Sequence, residues 1–181
     1  MSENAIVVVE LSTTPTDAPG RVVAAKKWLL EDGIIVPNEH RDRLMQRSEH
    51  RAGPRAIEVA PAFAHEHVRG LANNGVDFVC KRQVHHPSAN YEPPDCPSCG
   101  ARADSDAHSQ LIKPWLENEE PVLACRACGQ VHLAGDWTGK FSFYVSEVAV
   151  RFNNWPCIEP SFLAKLGEIL GPRSRIVYEH F

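Results

Sequence analysis

The spacing of apolar and polar positions divides the chain into short segments of different period. Residues 5–9 (AIVVV) are five consecutive apolar residues between Asn4 and Glu10, which predicts a first β-strand. STTPTDAPG follows as a turn-rich loop, with Asp17 and Pro19 marking a helix entry. RVVAAKKWLLEDG sets Val22, Ala25 and Leu29 on one stripe and puts Gly33 where a C-terminal cap belongs, so a helix is expected there. Residues 34–36 are a short apolar run closed by Pro37. NEHRDRLMQRSEHRAG is polar enough for an exposed helix or a connection.

From residue 56 the periods become clearer. AIEVA alternates like a strand, PAFAHEHVRGLANNG spaces Phe63, Val68, Leu71 and Ala72 on a helical face, and VDFVCKRQV reads as another strand. The same order returns at the C-terminus. FSFYVSEVAVRF is a strand, PSFLAKLGEILG a helix with Phe162, Leu163, Leu166, Ile169 and Leu170 facing a core and Gly171 as its stop, and SRIVYEHF a last strand. Two strand-helix-strand units separated by residues 85–140 match an α+β fold, the split ferredoxin-like sandwich, in which two helices cover one face of an antiparallel sheet. The expectation is therefore one α+β domain over residues 1–181, with an N-terminal strand-helix extension and residues 91–135 as an inserted subdomain. Phe63, Val68 and Leu71 would then share a buried layer with Phe162, Leu166 and Ile169.

Composition narrows the class. The 181 residues are 43% hydrophobic and 23% charged, ordinary values for a globular chain, with no low-complexity tract. The N-terminus has no basic flank and carries Glu3, unlike a signal peptide, and no stretch approaches the ~20 apolar residues of a membrane helix. A cytoplasmic protein without membrane contact is the expectation, and in a reducing compartment paired cysteines mean metal or redox chemistry more often than disulfides. The net charge of -4 sits wholly in residues 91–181, which carry 8 Lys/Arg against 12 Asp/Glu.

The chemistry is concentrated in CPSCG (residues 96–100) and CRACG (residues 125–129). Each is a knuckle in which two thiolates two residues apart can reach one ion, while the following Gly permits the tight turn beneath them. Cys96, Cys99, Cys125 and Cys128 are the candidate metal ligands. Four thiolates in tetrahedral array suit zinc, with iron the less favoured alternative, and a closed four-sulfur shell leaves no coordination position for catalysis. Over roughly residues 94–135 the chain resembles the zinc-ribbon class. That resemblance implies a fold element and one structural ion, not an activity.

Other side chains carry weaker signals. Cys80 and Cys157 read as small buried hydrophobes, His65 and His67 point to different helical faces, and His85 and His86 read as solvated. His132 is close to the second knuckle, but four cysteines complete the shell. Trp115, Trp137 and Trp155 read as core cover, and the acidic run at residues 117–120 as a solvated loop. No phosphate loop, nucleophile elbow or paired-carboxylate signature is present. The leading expectation is a non-enzymatic zinc protein that serves as a protein-interaction module, of which a toxin-neutralising immunity-type inhibitor is one form. A nucleic-acid-binding ribbon is disfavoured by its acidic balance and would need a basic face from Arg41, Arg43, Arg47, Arg51 and Arg55. An enzyme with a structural zinc is the third reading.

Overall fold

The computed structural model describes residues 4–40, 48–70 and 74–180. In chain order it runs β1 (Asn4–Glu10), α1 (Ala18–Glu31), β2 (Ile35–Pro37), β3 (His50–Ala52), α2 (His65–Gly70) and β4 (Gly75–His85). There follow α3 (Ser105–Ser109), α4 (Ile112–Glu117), β5 (Val122–Ala124), β6 (Val131–Leu133), β7 (Tyr144–Asn153), α5 (Pro160–Leu170) and β8 (Ser174–His180). Six strands form one sheet in the order β2-β3-β4-β7-β1-β8, every neighbouring pair antiparallel, while β5 and β6 make a separate hairpin. The chain is thus a mixed α+β protein on an antiparallel sheet.

β1 lies between β7 and β8, and its unbroken apolar run follows from burial on both faces. Ile6 and Val8 join Val148, Val150 and Phe152 on the face covered by α1 and α5, where Leu29, Leu166 and Leu170 are fully buried. Trp28 of α1 stacks on Phe162 of α5 with ring centroids 5.1 Å apart. Ala5, Val7 and Val9 face the other way and pack with Ala149 and Val177. That second face is covered by the long connection between β4 and β7, chiefly Trp115 of α4 with Phe143 and Ala134, joined by Tyr144 at the start of β7.

A bulge between Cys80 and Gln83 bends the β4–β7 ribbon over the second face. The consequence is visible in the pairing. Glu179 pairs with Ala5, Ala5 with Asn153 and Asn153 with Gly75, at the far end of β4 from His85. Nevertheless His85 Nδ1 comes within 3.8 Å of Glu179 Oε1.

Several expectations change. Residues 56–60 are not a strand: Ala56–Val59 is a 3-10 turn, in which the Glu58 N–H donates to the Arg55 carbonyl at 2.9 Å and Arg55 pairs with the Glu58 carboxylate. The helix after it is shorter than its pattern, a 3-10 turn at Ala62–Ala64 running into α2. This register buries Ala64 and Val68, four apart, and turns Phe63 outward at 80% exposed. Leu71 and Ala72 lie outside the described residues. The N-terminal strand and helix are therefore no extension, since β1 is an interior strand and α1, rather than α2, packs against α5. The sequence pattern holds for β4, β7, α5 and β8.

Candidate metal centre

Each knuckle is a short backbone hairpin. The Cys96 N–H donates to Ala101 O (2.9 Å) and the Gly100 N–H to Cys96 O (2.8 Å). In the second knuckle Cys125 N–H donates to Gln130 O (2.8 Å) and Gly129 N–H to Cys125 O (2.9 Å). Gly100 and Gly129 close these turns with φ of +71° and +73°, a left-handed conformation that a Cβ would strain. Flanking pairs hold the knuckles to the body: Asp95 bridges both Arg102 and Thr138, and β5 and β6 flank the second knuckle.

The two knuckles bring the four sulfurs within 4.8 Å of one another, at metal-binding distance. Cys96 Sγ is 3.9 Å from Cys128 Sγ, and Cys99 Sγ is 3.7 Å from Cys125 Sγ. Tetrahedral zinc with Zn–S bonds of about 2.3 Å requires sulfurs about 3.8 Å apart, so the donor set fits. Cys96 and Cys125 are buried against Trp137, Leu123, Ala101 and Ala103, while Cys99 and Cys128 are exposed.

Crowding makes the sulfurs unequal. The backbone N–H of Cys128, with that of Ala127, holds the Cys125 thiol down at about 6. At Cys99 the Ala101 N–H favours the thiolate, but the neighbouring sulfurs of Cys128, Cys125 and Cys96 prevail and push it up to about 12. A divalent cation among the four would favour the thiolate at each of them. Around the centre, Arg126 Nη1 donates to Asp104 Oδ2 (2.8 Å), and Ser98 Oγ lies 2.8 Å from His132 Nε2, tying the first knuckle to β6. His132 thus stands outside the sulfur cluster.

Polar contacts hold this region to the sheet. Arg82 of β4 donates to the Trp115 carbonyl at 3.0 and 2.6 Å, to Asn118 O at 2.6 Å and to Glu147 at 2.8 Å. Arg173 reaches Glu120 and Asp136, and Tyr144 Oη donates to Trp137 O at 3.2 Å. Glu120 is consequently not part of a solvated loop.

The remaining candidates are scattered. Trp115, Trp137 and Trp155 are buried, as expected of core cover. Cys80 is exposed rather than buried, although it pairs with buried Val148 of β7, and Cys157 is half-buried. His65 Nε2 sits 2.9 Å from Ala60 O, while His67 is exposed. His85 is buried beside Glu179, and His86 stacks between Tyr91 and Phe143, so neither is the solvated histidine its loop position suggests. His108, buried on Phe143 with Nδ1 2.8 Å from Tyr91 Oη, gave no sequence signal at all. Arg41, Arg43 and Arg47 lie outside the described residues, Arg51 is exposed, and Arg55 is paired with Glu58. No helix among the described residues is long and apolar enough to cross a membrane. Comparison with protein-family models, with curated proteins and with solved structures returns no match.

Proposed function

We propose that Cys96, Cys99, Cys125 and Cys128 hold one zinc ion in a structural ribbon, and that this ribbon is an interaction module for another protein. The observation that carries the metal reading is the approach of four thiol sulfurs to within 4.8 Å on two glycine-closed knuckles. The ion neutralises thiolate charge and ties the two knuckles together, which in small modules is folding free energy. The ribbon is read as an insertion in a split ferredoxin-like sandwich, with β8-β1-β7-β4 as the four strands of that sandwich and α1 and α5 as its helices.

The interaction reading rests on the β5–β6 hairpin. Val122 pairs with Leu133 and Ala124 with Val131, so these four apolar side chains share one face of the hairpin, and all are exposed, Val122 at 59% and Val131 at 56%. Acidic Glu117 and Glu119 lie just before it, and four thiolates with one divalent ion add a net charge of about -2. A small apolar patch in an anionic setting suits a protein partner with a basic rim. Elemental analysis of protein purified under reducing conditions tests the metal: about one equivalent of zinc is expected, lost in Cys96→Ser. Absence of metal, or a disulfide within either knuckle, refutes it.

A further inference from the structure

We propose that the pocket between β3 and α2 binds a small anionic ligand with an apolar body, its acidic group held by Arg51 and Arg69. The pocket is a concavity of about 480 Å³ that is open to solvent on one side, its volume in the range of small-molecule sites. Its wall includes Val36, Ala52, Ile57 and Val68, of which Val68 is buried in the core and Ala52 and Ile57 pack against that core. Arg51 and Arg69 line the same pocket and are exposed.

The arginines elsewhere show why this pair stands out. Arg55, Arg82, Arg102, Arg126, Arg151, Arg173 and Arg175 each lie against a carboxylate. Among the described residues, Arg21, Arg51 and Arg69 have no such partner, and two of these three share one concavity. In a chain with 23 acidic and 19 basic residues, two guanidinium groups on one pocket without a carboxylate mark a place where an anion is the missing partner. Their planar forks match a carboxylate or phosphate, and the apolar wall adds burial for whatever carries it.

The walls are fixed before any ligand arrives. The Gly53 N–H donates to Ile34 O at 2.7 Å and the Arg55 N–H to Gly33 O at 3.0 Å, so the turn after β3 is clamped to the residues that follow α1. On the other side, Asn74 Nδ2 donates to Val68 O at 3.0 Å and to His67 O at 3.3 Å, holding the end of α2. Such preorganisation lowers the ordering cost of binding. A nucleic-acid backbone would use the charges but not the apolar wall.

Calorimetric titration of the zinc-loaded full chain with phenyl phosphate, inorganic phosphate and phenol tests this assignment. Phenyl phosphate should saturate a single site, and the two fragments should each bind at least ~10-fold more weakly, because each lacks one half of the recognition. Arg51→Gln and Arg69→Gln should each weaken phenyl phosphate roughly tenfold, the loss of one charged hydrogen-bonded contact, while the circular dichroism of the chain stays unchanged. No saturable binding, or equal binding in the folded double variant, overturns the proposal. So does tighter, Arg51-dependent binding of a short single-stranded oligonucleotide, which would assign the two arginines to nucleic acid.

Discussion

His108 shows how one buried ring sets a pH response. It is 1% exposed, its ring centroid is 4.2 Å from that of Phe143, and its Nδ1 is engaged by Tyr91 Oη. Burial pushes its pKa down from 6.5 to about 4, with nearby His86 adding to the effect, so the folded protein holds the neutral imidazole. An unfolded chain has no such restriction. Above pH 6.5 both states are neutral at this site and it costs nothing. As pH falls from 6.5 to about 4 the unfolded state takes up the proton first, and stability declines by on the order of 3 kcal/mol. Urea unfolding across that window should show this loss, and His108→Gln should lose less than the parent. Equal pH dependence in the two proteins would show that other groups govern it. The two cysteine knuckles were legible in the sequence because cysteine spacing and the glycine after it are local requirements. His108 was not, since its burial depends on Tyr91 and Phe143, which only the tertiary fold brings to it.

At the level of elements, period and length decided what could be read. β4, β7, α5 and β8 carry long, clean patterns and form as expected, whereas residues 56–60 are no strand, because a five-residue alternation also suits a 3-10 turn buried at Ala56 and Val59, and the helix after them is shortened to His65–Gly70. The helix that does cover the sheet beside α5 is α1, whose stripe of Ala25 and Leu29 is small but completely buried. The β5–β6 hairpin is the element with the opposite imbalance, too much apolar surface for its exposure. Val131→Asp places a charge in the middle of that surface without touching the sulfurs. If the hairpin is the interaction face, proteins captured by the parent chain from its own cell and released by salt should be lost by this variant, and the captured contact surface should be basic. Capture indifferent to Val131→Asp would remove the hairpin from the interaction reading.

At the scale of the whole molecule, one apolar cluster joins residues from both halves of the chain. Ile6, Leu29, Val68 and Val76 share it with Val150, Leu163 and Leu166; of the three residues expected from the segment after residue 56, Val68 is in this layer, Phe63 is exposed and Leu71 lies outside the described residues, and α1 supplies the main helix. Leu166→Ala should therefore cost ~2 to 5 kcal/mol, and circular dichroism and tryptophan fluorescence should report a single shifted transition. Two separated transitions would mean that the halves hold together independently. The position of β1 between β7 and β8 has a consequence for how the chain is made. A ribosome releases this all-apolar strand well over a hundred residues ahead of both of its hydrogen-bonding partners, which follow about ten to thirty seconds later at usual translation speeds. Throughout that interval the nascent chain offers AIVVV with both edges open, a sticky segment that can add to any passing β-edge, and α1 can shield only one of its faces. Cellular yield of this protein should accordingly depend on holdase chaperones that bind the emerging β1 segment, far more than its finished sheet, in which β1 is an interior strand, would suggest.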